Sequence, residues 1–448
     1  MSVLPPELQP LIAPLSIGFS HPTFQRFVLL LIGAILTPGR HTITNLLWTV
    51  RPMIDGDPSS YHRLLSCRVW PLWPLGRVLA ALVLAWAPAH QPVIVALDDT
   101  AAQHKGKHVY GKGRHRDAVR SSHSHTVWLW GHKWVVAAVC VRLPGVGRPW
   151  ALPVLCALYR TPQLSAAEGR RHKTPLELAR ALMATLLHWF PDRRFVFLGD
   201  GGYGTHELAR FCARHGARAV LISRLHPKAR LYAPPPRRKK GQPGRPRAKG
   251  EALPKPQDAA AGGATRGASV SWYGGQRRKV GLLDGRGHWY RIGRGLVAIR
   301  WVYVEDRQGT HRPEYFFCTD PALAPREIVS LYTARWAIEV TFQEARAHLG
   351  VHTTRCRKQE SVLRATPCLL GLFSLVSLAW ANQGTGTAAV REVPGYAKGA
   401  PTFTDALASV RRSLWQRIFL RGAASHPAAS KPTSATLDML LECVSYAA

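Results

Sequence analysis

VIVALDDT, residues 93–100, is the most informative stretch of the sequence for the fold. Its first five residues form an unbroken apolar run, which is typical of a β-strand covered on both faces. The run ends in Asp98, Asp99 and Thr100. Polar side chains at the end of a central strand favour a functional site, because ligand sites of open α/β sheets lie beyond the carboxyl ends of the strands. The stretch therefore predicts a central strand that leads into a site.

The segments after this strand alternate between strands and helices. Six elements are predicted, in the order strand, strand, helix, strand, helix, strand, at residues 126–142, 150–159, 175–190, 195–199, 204–215 and 219–223. The fourth strand of the series also ends in a carboxylate, Asp200, although an Asp before two glycines is common in turns as well. This order, with acidic residues after the first and fourth strands, predicts an α/β fold with an RNase H-like core.

A third carboxylate lies in a predicted helix at residues 331–346 (LYTARWAIEVTFQEAR). At 100° per residue, Tyr332, Arg335, Glu339 and Arg346 share one stripe beside an apolar stripe that would face the core. Two interpretations are open. The helix is simply amphipathic, with an Arg335–Glu339 pair that contributes roughly 0.3 kcal/mol. Alternatively, Glu339 holds a divalent metal while the other three bind a nucleic-acid backbone, since a guanidinium matches a phosphate in fork geometry.

This helix resembles a known signature. Its spacing matches the Y-(2)-R-(3)-E-(6)-K pattern of DDE transposases from bacterial insertion sequences, except that Arg346 replaces the usual Lys. The motifs LDDT at 97–100 and GDGGY at 199–203 add to the likeness. The resemblance covers residues 93–225 and 324–380, and it implies an RNase H-like catalytic core interrupted by a β-rich insertion.

The resemblance gives the three carboxylates a shared role. It implies that Asp98, Asp200 and Glu339 are catalytic and hold Mg²⁺ or Mn²⁺, with two ions about 4 Å apart, and oxygen ligands suit both metals. Neighbouring strand residues point to opposite faces, so only one of the two adjacent aspartates can reach the site. The family's Asp-x-Thr or Asp-x-Ser motif selects Asp98 together with Thr100, and Asp99 is the alternative.

The implied activity is transposition. Water would cut one strand at each end of the element, and the freed 3′-hydroxyl would then attack target DNA. The implied partner is double-stranded DNA, bound by a homodimer. An RNase H-like nuclease that cuts without joining, and a catalytically inactive DNA-binding protein derived from a transposase, are the alternatives. The intact set of carboxylates argues against the inactive protein.

The composition agrees with a nucleic-acid partner. The chain of 448 residues has 60 Lys and Arg against 26 Asp and Glu, a formal charge of +34, and a pI near 10.8, which indicate a polyanionic partner. The longest apolar runs, 28–36 and 369–380, fall short of the roughly 20 residues that span a bilayer, and residues 1–10 have no signal-peptide pattern. We expect a cytoplasmic protein without a membrane partner, associated with the nucleoid when bound to DNA. Eight scattered cysteines predict neither a zinc ribbon nor a disulfide framework.

Five regions are predicted along the chain. They are a helical N-terminal domain, the first part of the core, a flexible basic linker with a β-rich insertion, the second part of the core, and a helical C-terminal region, at 1–90, 91–225, 226–320, 321–382 and 383–448. In the first region, two predicted helices meet at Arg40 and His41, which is compatible with a DNA-binding helix-turn-helix. A plain helical bundle fits the same pattern.

Two segments are predicted to be cationic and solvated. The loop at 104–132 carries six His but lacks the spacing of a metal-binding helix. The segment 234–267 is rich in Pro, Gly and Ala, and its motif at 244–247 has the look of an AT-hook core, in which Arg245 and Arg247 would enter a narrow minor groove. A cationic linker without sequence preference is the simpler alternative.

The insertion itself is predicted to be β-structure. Residues 269–317 alternate β-branched, aromatic and Arg residues between Gly turns, which predicts a β-hairpin or a small antiparallel sheet. In similar transposases an aromatic residue of this insertion stacks on a base displaced from the cleaved end, and Trp289 is the candidate here. Packing of Trp289 inside the small sheet is the alternative. Trp301, in an apolar run, is predicted to be core.

Overall fold

The computed structural model describes residues 4–117, 120–122, 124–237, 245–384, 395, 398–425 and 434–446. Within these residues eleven strands form one sheet. The strands are β1 Val93–Gln103, β2 Gly113–Arg116, β3 Trp128–Val141, β4 Trp150–Tyr159, β5 Phe195–Gly199, β6 Ala219–Arg224, β7 Leu231–Tyr232, β8 Arg266–Ser271, β9 Arg277–Arg291, β10 Gly295–Asp306 and β11 Glu314–Cys318.

Helices pack on both faces of this sheet, and further helices precede and follow its strands in the chain. They are α1 Gln9–Ile12, α2 His21–Leu36, α3 Ile43–Thr49, α4 Ser59–Ser66, α5 Leu72–Leu84, α6 Pro162–Ala167, α7 Pro175–Trp189, α8 His206–Arg214, α9 Pro256–Gly262, α10 Pro325–Ala334, α11 Ala337–His348, α12 Gln359–Asn382, α13 Phe403–Ser425 and α14 Ser434–Ser445. The strands and helices predicted between residues 93 and 223 are confirmed, with ends that differ by a few residues. The first strand was predicted to end at Asp98, but β1 continues through Asp98, Asp99 and Thr100 to Gln103, because its second half still pairs with β3.

The sheet is mixed. Its order is β2–β3–β1–β5–β6–β11–β10–β9–β7, with β4 paired to β3 and β8 paired to β9. β3 is antiparallel to both β1 and β4, whereas β1, β5 and β6 are parallel to one another. The five predicted strands thus form a three-stranded antiparallel unit that continues into two parallel strands.

The central strands are covered on both faces, as their apolar sequences predict. In β5, Phe195 and Phe197 belong to the main hydrophobic cluster, while the alternating Val196 and Leu198 belong to a second cluster. That second cluster also contains Tyr332 and the apolar face of α10. Because successive strand residues point to opposite faces, one short strand anchors helices on both sides of the sheet.

The predicted small antiparallel sheet at 269–317 is not separate from the core. β8 pairs with β9, β9 with β10 and β10 with β11, each antiparallel, but β11 also pairs with β6, with Phe317 opposite Ser223. An unpaired strand edge exposes a row of hydrogen-bonding groups, and β11 satisfies the edge that β6 would otherwise leave open. The insertion therefore extends the central sheet.

The N-terminal helices share one core with the rest of the protein. Residues of α2, α5 and α12 belong to a single hydrophobic cluster. At the joint between α2 and α3, His41 is only 5% exposed. Its two ring nitrogens lie 2.9 Å from the carbonyls of Ala34 and Gly39. Its backbone N–H donates to Thr353 Oγ1 at 3.0 Å. Of the two joint residues predicted to meet DNA, only Arg40 is exposed.

In the described part of the chain, α12 alone is long and apolar enough to cross a membrane by length and composition. However, 72% of its most apolar window is buried inside the protein. Its Ser374 donates a hydrogen bond to the carbonyl of Pro153 in β4 at 2.7 Å. A helix that is mostly buried and hydrogen-bonded to a strand of the sheet is part of the protein core.

Candidate active site

Two of the predicted catalytic carboxylates lie where the parallel pairing of β1 with β5 ends. β1 and β5 are parallel neighbours in which Leu97 pairs with Gly199. Asp98 directly follows Leu97 in the sequence, and Asp200 directly follows Gly199. Because the two strands run in the same direction, this register places both carboxylates side by side. The charge of Asp200 is close enough to act on Asp98.

Arg335 joins the third carboxylate to this pair. Its Nη1 donates to Asp98 Oδ2 at 2.9 Å, and its Nη2 donates to Glu339 Oε1 at 2.8 Å. The Arg335 side chain is 8% exposed, that of Asp98 is 17% exposed and that of Glu339 is 46% exposed. The i,i+4 pair expected from the sequence therefore forms, and the same guanidinium also reaches β1.

The surroundings of Asp98 disfavour the ionised form of its carboxyl group. Burial raises the pKa of Asp98 to about 7, and the negative charges of Asp200 and Asp99 add to the rise. The Arg335 guanidinium and the Asp99 N–H oppose it. Any further positive charge beside Asp98 would lower its pKa and favour the ionised form.

Asp200 also stabilises the turn after β5, which was the alternative interpretation of this residue from the sequence. Its Oδ1 accepts from the N–H groups of Gly202 and Tyr203 at 2.9 and 3.2 Å. Ser223 Oγ donates to the Asp200 carbonyl at 2.6 Å. These bonds fix the direction of the carboxylate after β5, so the turn positions the side chain at the end of β5.

Asp99 faces away from the helix that carries Glu339. Its Oδ1 lies 3.0 Å from Lys133 Nζ, and its Oδ2 accepts from Tyr203 Oη at 3.4 Å. Strand alternation separates the two aspartates as expected. The contact of Asp98 with Arg335 favours Asp98 as the site residue. The sequence interpretation missed Lys133, because only the β1–β3 register brings this lysine beside Asp99.

The helix predicted without a break at 331–346 is interrupted. α10 ends at Ala334 and α11 begins at Ala337. Between them the N–H of Arg335 donates to the Tyr332 carbonyl, and the N–H of Ile338 donates to the Arg335 carbonyl, both at 3.0 Å. These bonds span three residues instead of four, which is the tighter 3₁₀ geometry. The sequence could not predict this, because the apolar period continues through it.

The predicted DNA-facing stripe is buried at its start. Tyr332 is 0% exposed, and its ring centroid lies 4.3 Å from that of Phe316. Arg335 lies 5.7 Å from the Tyr332 ring and is itself buried. In this structure neither residue is at the surface, where the sequence interpretation had placed both. Periodicity identifies a shared stripe, but it does not show how deeply that stripe is buried.

Arg346, at the other end of the stripe, lies beside the aspartate motif. Its Nη1 donates to Thr100 Oγ1 at 3.2 Å. Its side chain is half-buried. Burial lowers the pKa of Arg346, and the nearby charge of Asp117 opposes that change. The structure thus brings the third position of the Asp-x-Thr motif into contact with the last position of the helix signature.

Trp289 packs within the sheet. Its ring contacts His206 and Phe317 edge-on, with centroids 5.6 and 5.5 Å apart. The side chain is half-buried against the main hydrophobic cluster. This arrangement corresponds to the packing alternative and not to a ring free to meet a displaced base. Trp301 is 6% exposed, as predicted for a core residue.

The cationic segments differ from one another. Arg245 and Arg247 are exposed, whereas Gly244 of the same motif lies outside the described residues. The predicted loop at 104–132 contains β2 and the start of β3. Two of its histidines, His104 and His132, are buried, with ring centroids 4.4 Å apart. Burial lowers the pKa of His104 to about 4, so this part of the segment is not a solvated cationic loop.

The donor set suits a hard divalent cation, although the carboxylates are not gathered into a metal shell. Among the described residues, no group of three His, Cys, Asp or Glu side chains is arranged to hold a metal ion. Asp98, Asp200 and Glu339 offer the oxygen ligands that Mg²⁺ and Mn²⁺ prefer. Burial is the main cause of the raised pKa of Asp98, and a bound cation would lower that pKa by favouring the ionised carboxylate. By donor chemistry, these three residues fit the ion.

Comparisons with known proteins identify the family. No curated protein matches the chain. Among solved structures, a chain of the "Cryo-EM structure of piggyBac transposase synaptic complex with hairpin DNA" matches with a TM-score of 0.40 and 9% identity, over 97% of this chain and 80% of that one. The profile of the family described as DDE superfamily endonuclease matches residues 14–279. The matched residues include Asp98 and Asp200 and end before Glu339. Because this match covers more than half of the chain, the protein belongs to the DDE superfamily of endonucleases.

Proposed function

We propose that this endonuclease is the transposase of a bacterial insertion sequence, of the branch with the Y-(2)-R-(3)-E-(6)-K signature. One observation carries the proposal: Arg335 connects Asp98 in β1 to Glu339 in α11. These residues belong to two separate motifs of that family's pattern. Nothing in the local sequence requires them to meet, so their contact supports a common site.

The topology supports an RNase H-like core. The strand order β4–β3–β1–β5–β6 has three antiparallel strands followed by two parallel ones, and Asp98 and Asp200 come directly after the last pair, Leu97 and Gly199, of the parallel β1–β5 ladder. α10 and α11 then supply Glu339 from beyond the β8–β11 insertion. In this proposal the insertion separates the two parts of one catalytic core.

The chemistry assigned to the site is phosphodiester cleavage followed by strand transfer. Asp98, Asp200 and Glu339 would hold Mg²⁺ or Mn²⁺, two ions in the complete site, and the metal supplies positive charge to the attacking and leaving oxygens. Arg335 holds Asp98 and Glu339 in a fixed relation, and Arg346 positions Thr100. Water is the nucleophile for cleavage, and the freed 3′-hydroxyl is the nucleophile for joining.

The partner in this proposal is double-stranded DNA, both the element ends and the target. The formal charge of +34 would release counterions from the DNA backbone, which favours binding without sequence preference. Two element ends call for two active sites, so we propose a homodimer on DNA. Its place would be the cytoplasm, at the nucleoid when bound.

The first test compares carboxylates of the site with a matched neighbour. Asp98→Asn, Asp200→Asn and Glu339→Gln should each reduce cleavage of a duplex carrying the element end by at least a hundredfold, while gel-shift affinity stays within threefold. Asp99→Asn is the control, because its side chain is paired with Lys133. A Glu339→Gln protein that cuts at a near wild-type rate would refute the assignment.

The second test separates a transposase from a nuclease that does not join. A pre-cut element end with a free 3′-hydroxyl is incubated with supercoiled plasmid and Mg²⁺. Covalent joining of the labelled end to the plasmid supports the proposal. Efficient cleavage by the same preparation, without any joined product, would support the nuclease alternative.

A further inference from the structure

The hairpin of β2 and β3 carries a ladder of alternating cationic and aromatic side chains. Across the two strands, Arg114 is paired with Trp130 and Arg116 with Trp128. The Arg114 guanidinium carbon lies 4.6 Å from the Trp128 ring centroid. Lys112 Nζ lies 5.7 Å from the Trp130 ring centroid. Five side chains of two chemical kinds thus alternate on one face of the hairpin.

This face is open to solvent while the opposite face is buried. Trp128 is 50% exposed and Trp130 is 55% exposed. On the other face, His115 is 4% exposed and its ring lies 5.7 Å from that of Tyr159. The hairpin is therefore held by its buried face and does not need the two tryptophans for its packing. Exposed aromatic side chains in such a cluster are typical of a binding surface.

The ladder lies on the same side of the sheet as the candidate active site. The β1–β3 register is continuous from Asp98 opposite Val136 to Gln103 opposite Gly131. By strand alternation, Trp128 and Trp130 share the face of Val136, and hence that of Asp98. At about 3.3 Å per residue, Trp130 is roughly 20 Å along β3 from the site. That length corresponds to about six nucleotides of a DNA strand.

The end of the hairpin lies near α11. Asp117, next after β2, is close enough for its charge to act on Arg346, which itself bonds to Thr100. The hairpin therefore approaches the helix that carries Glu339. A DNA strand that leaves the site along this side of the sheet would pass over the ladder.

A cavity of about 720 Å³ opens beside Trp130. Three lysines, Lys105, Lys107 and Lys112, line it together with Gln103. The cavity thus combines one wide aromatic surface with several ammonium groups. Bases supply flat rings and phosphates supply negative charge, so a nucleotide strand complements both features at once.

We propose that Trp128 and Trp130 stack on unpaired bases of the DNA strand that leads away from the active site. Arg114, Arg116 and Lys112 contact its phosphates. This inference rests on the proposed function, since it takes the ligand to be DNA that the site cleaves. Unpaired bases are specified because their faces are free to cover the tryptophan rings, whereas the bases of an intact duplex stack on one another.

The test measures binding of a fluorescent 12-nucleotide single strand, and of its duplex, in EDTA so that no cleavage occurs. Trp128→Ala combined with Trp130→Ala should weaken single-strand binding at least tenfold and duplex binding less than threefold. The double Phe variant, Trp128→Phe combined with Trp130→Phe, should bind single strands almost as tightly as wild type, because it keeps an aromatic face at both positions. Trp48→Ala is the matched control: Trp48 is 69% exposed, and Arg51 lies 4.6 Å from its ring.

Three results for the double Ala variant, and one for the double Phe variant, would overturn the inference. The double Ala variant binds single strands as the Trp48→Ala control does, it loses single-strand and duplex affinity equally, or it changes from dimer to monomer in light scattering with no loss of single-strand affinity. A matching loss in the double Phe variant would equally exclude stacking. Melting temperatures within 2 °C of wild type, expected for exposed positions, show that folding is intact.

Failure here is distinguishable from failure of the proposed function. If Asp98→Asn and Glu339→Gln abolish cleavage while the double Ala variant binds single strands normally, the stacking inference fails alone. If the double Ala variant loses single-strand binding but the carboxylate variants still cleave, the catalytic assignment fails while the stacking surface stands. The two experiments share no variant.

Discussion

Replacing Arg335 removes the cation that sits between two carboxylates, and its effect can be worked out from the burial of each partner. Arg335 is 8% exposed and Asp98 is 17% exposed, so their 2.9 Å contact is shielded from solvent. Removing one partner of a buried pair costs about 3–5 kcal/mol. Glu339 is 46% exposed, and its contact with Arg335 contributes under about 1 kcal/mol. Because Asp98 can take up a proton instead of staying an unpaired buried charge, we expect the Arg335→Ala variant to lose less free energy of unfolding through Asp98 than that range of about 3–5 kcal/mol. The loss should be about 2 kcal/mol at pH 8.5, which is about 1.5 pH units above the wild-type Asp98 pKa of about 7, at about 1.4 kcal/mol per pH unit.

The loss should depend on pH. Because burial raises the pKa of Asp98 to about 7, its ionisation lowers the stability of the wild-type protein as pH rises from about 4, the ordinary Asp value, to 7. Without Arg335 the pKa of Asp98 is higher still, so the variant continues to lose stability above pH 7. The difference between the two proteins is therefore small at pH 6, where Asp98 is largely protonated in both, and large at pH 8.5.

Urea unfolding at pH 6 and pH 8.5, followed by tryptophan fluorescence, measures this difference. Arg326→Ala, an exposed arginine on α10, is the control and should change stability by less than about 0.5 kcal/mol. Arg335→Lys should fall between wild type and Ala, because one ammonium cannot reproduce the fork that spans both carboxylates. The reasoning is refuted if Arg335→Ala matches the control at both pH values. It is also refuted if the variant instead reduces the salt dependence of DNA binding by about one unit, as loss of an exposed phosphate contact does.

Three further predictions concern residues around the site and the insertion. Arg346→Ala should reduce the slope of log Kd against log salt by about one, because this half-buried guanidinium has donors beyond the Nη1 that bonds to Thr100; an unchanged slope would assign it a structural role only. Trp289→Ala should lower the free energy of unfolding by about 2 kcal/mol, less than for a fully buried Trp; slower end cleavage without that loss in a urea titration would restore the base-stacking role. Asp306→Ala should cost about 3–5 kcal/mol, because the Asp306 side chain is 1% exposed and accepts two hydrogen bonds from Arg278. Burial alone would raise the pKa of Asp306, but these and backbone hydrogen bonds hold that pKa well below its usual range. The contribution of Asp306 to stability is therefore present above about pH 4 and declines on acidification. The unfolding curves of wild type and variant should converge toward about pH 2.

The positions of Asp98 and Asp200 could be predicted from the sequence because they depend on local patterns. Apolar runs of the lengths seen before Asp98 and Asp200 have few solutions other than buried strands. Parallel pairing of the two apolar runs then places the residues that follow them side by side. The catalytic interpretation of Asp98 over Asp99 used only strand alternation and the family motif, and the structure separates the two side chains as that argument requires.

What could not be predicted depends on contacts between distant residues. The pairing of β11 with β6 joins residues that are about a hundred positions apart, and no local pattern encodes it. The burial of Tyr332 follows from the same event, because Phe316 of β11 covers its ring. The exposed positions of Trp128 and Trp130 in a strand also depend on packing. Aromatic residues in strands are usually core, and only the packing shows which strand end projects beyond the sheet.

The distribution of charge gives the site its particular character. The protein carries a formal charge of +34, yet Asp98, Asp99 and Asp200 lie close together in the middle of the sheet. A basic exterior attracts polyanions, but it does not stabilise buried carboxylates, because solvent screens exposed cations within about 10 Å. A cation in direct contact is needed, and in this structure Arg335 is that cation for Asp98. Attraction of a polyanion and stabilisation of the acidic centre therefore depend on different residues. Substitutions at the surface should change affinity and its salt dependence, whereas substitutions at Arg335 should change stability and the protonation of Asp98.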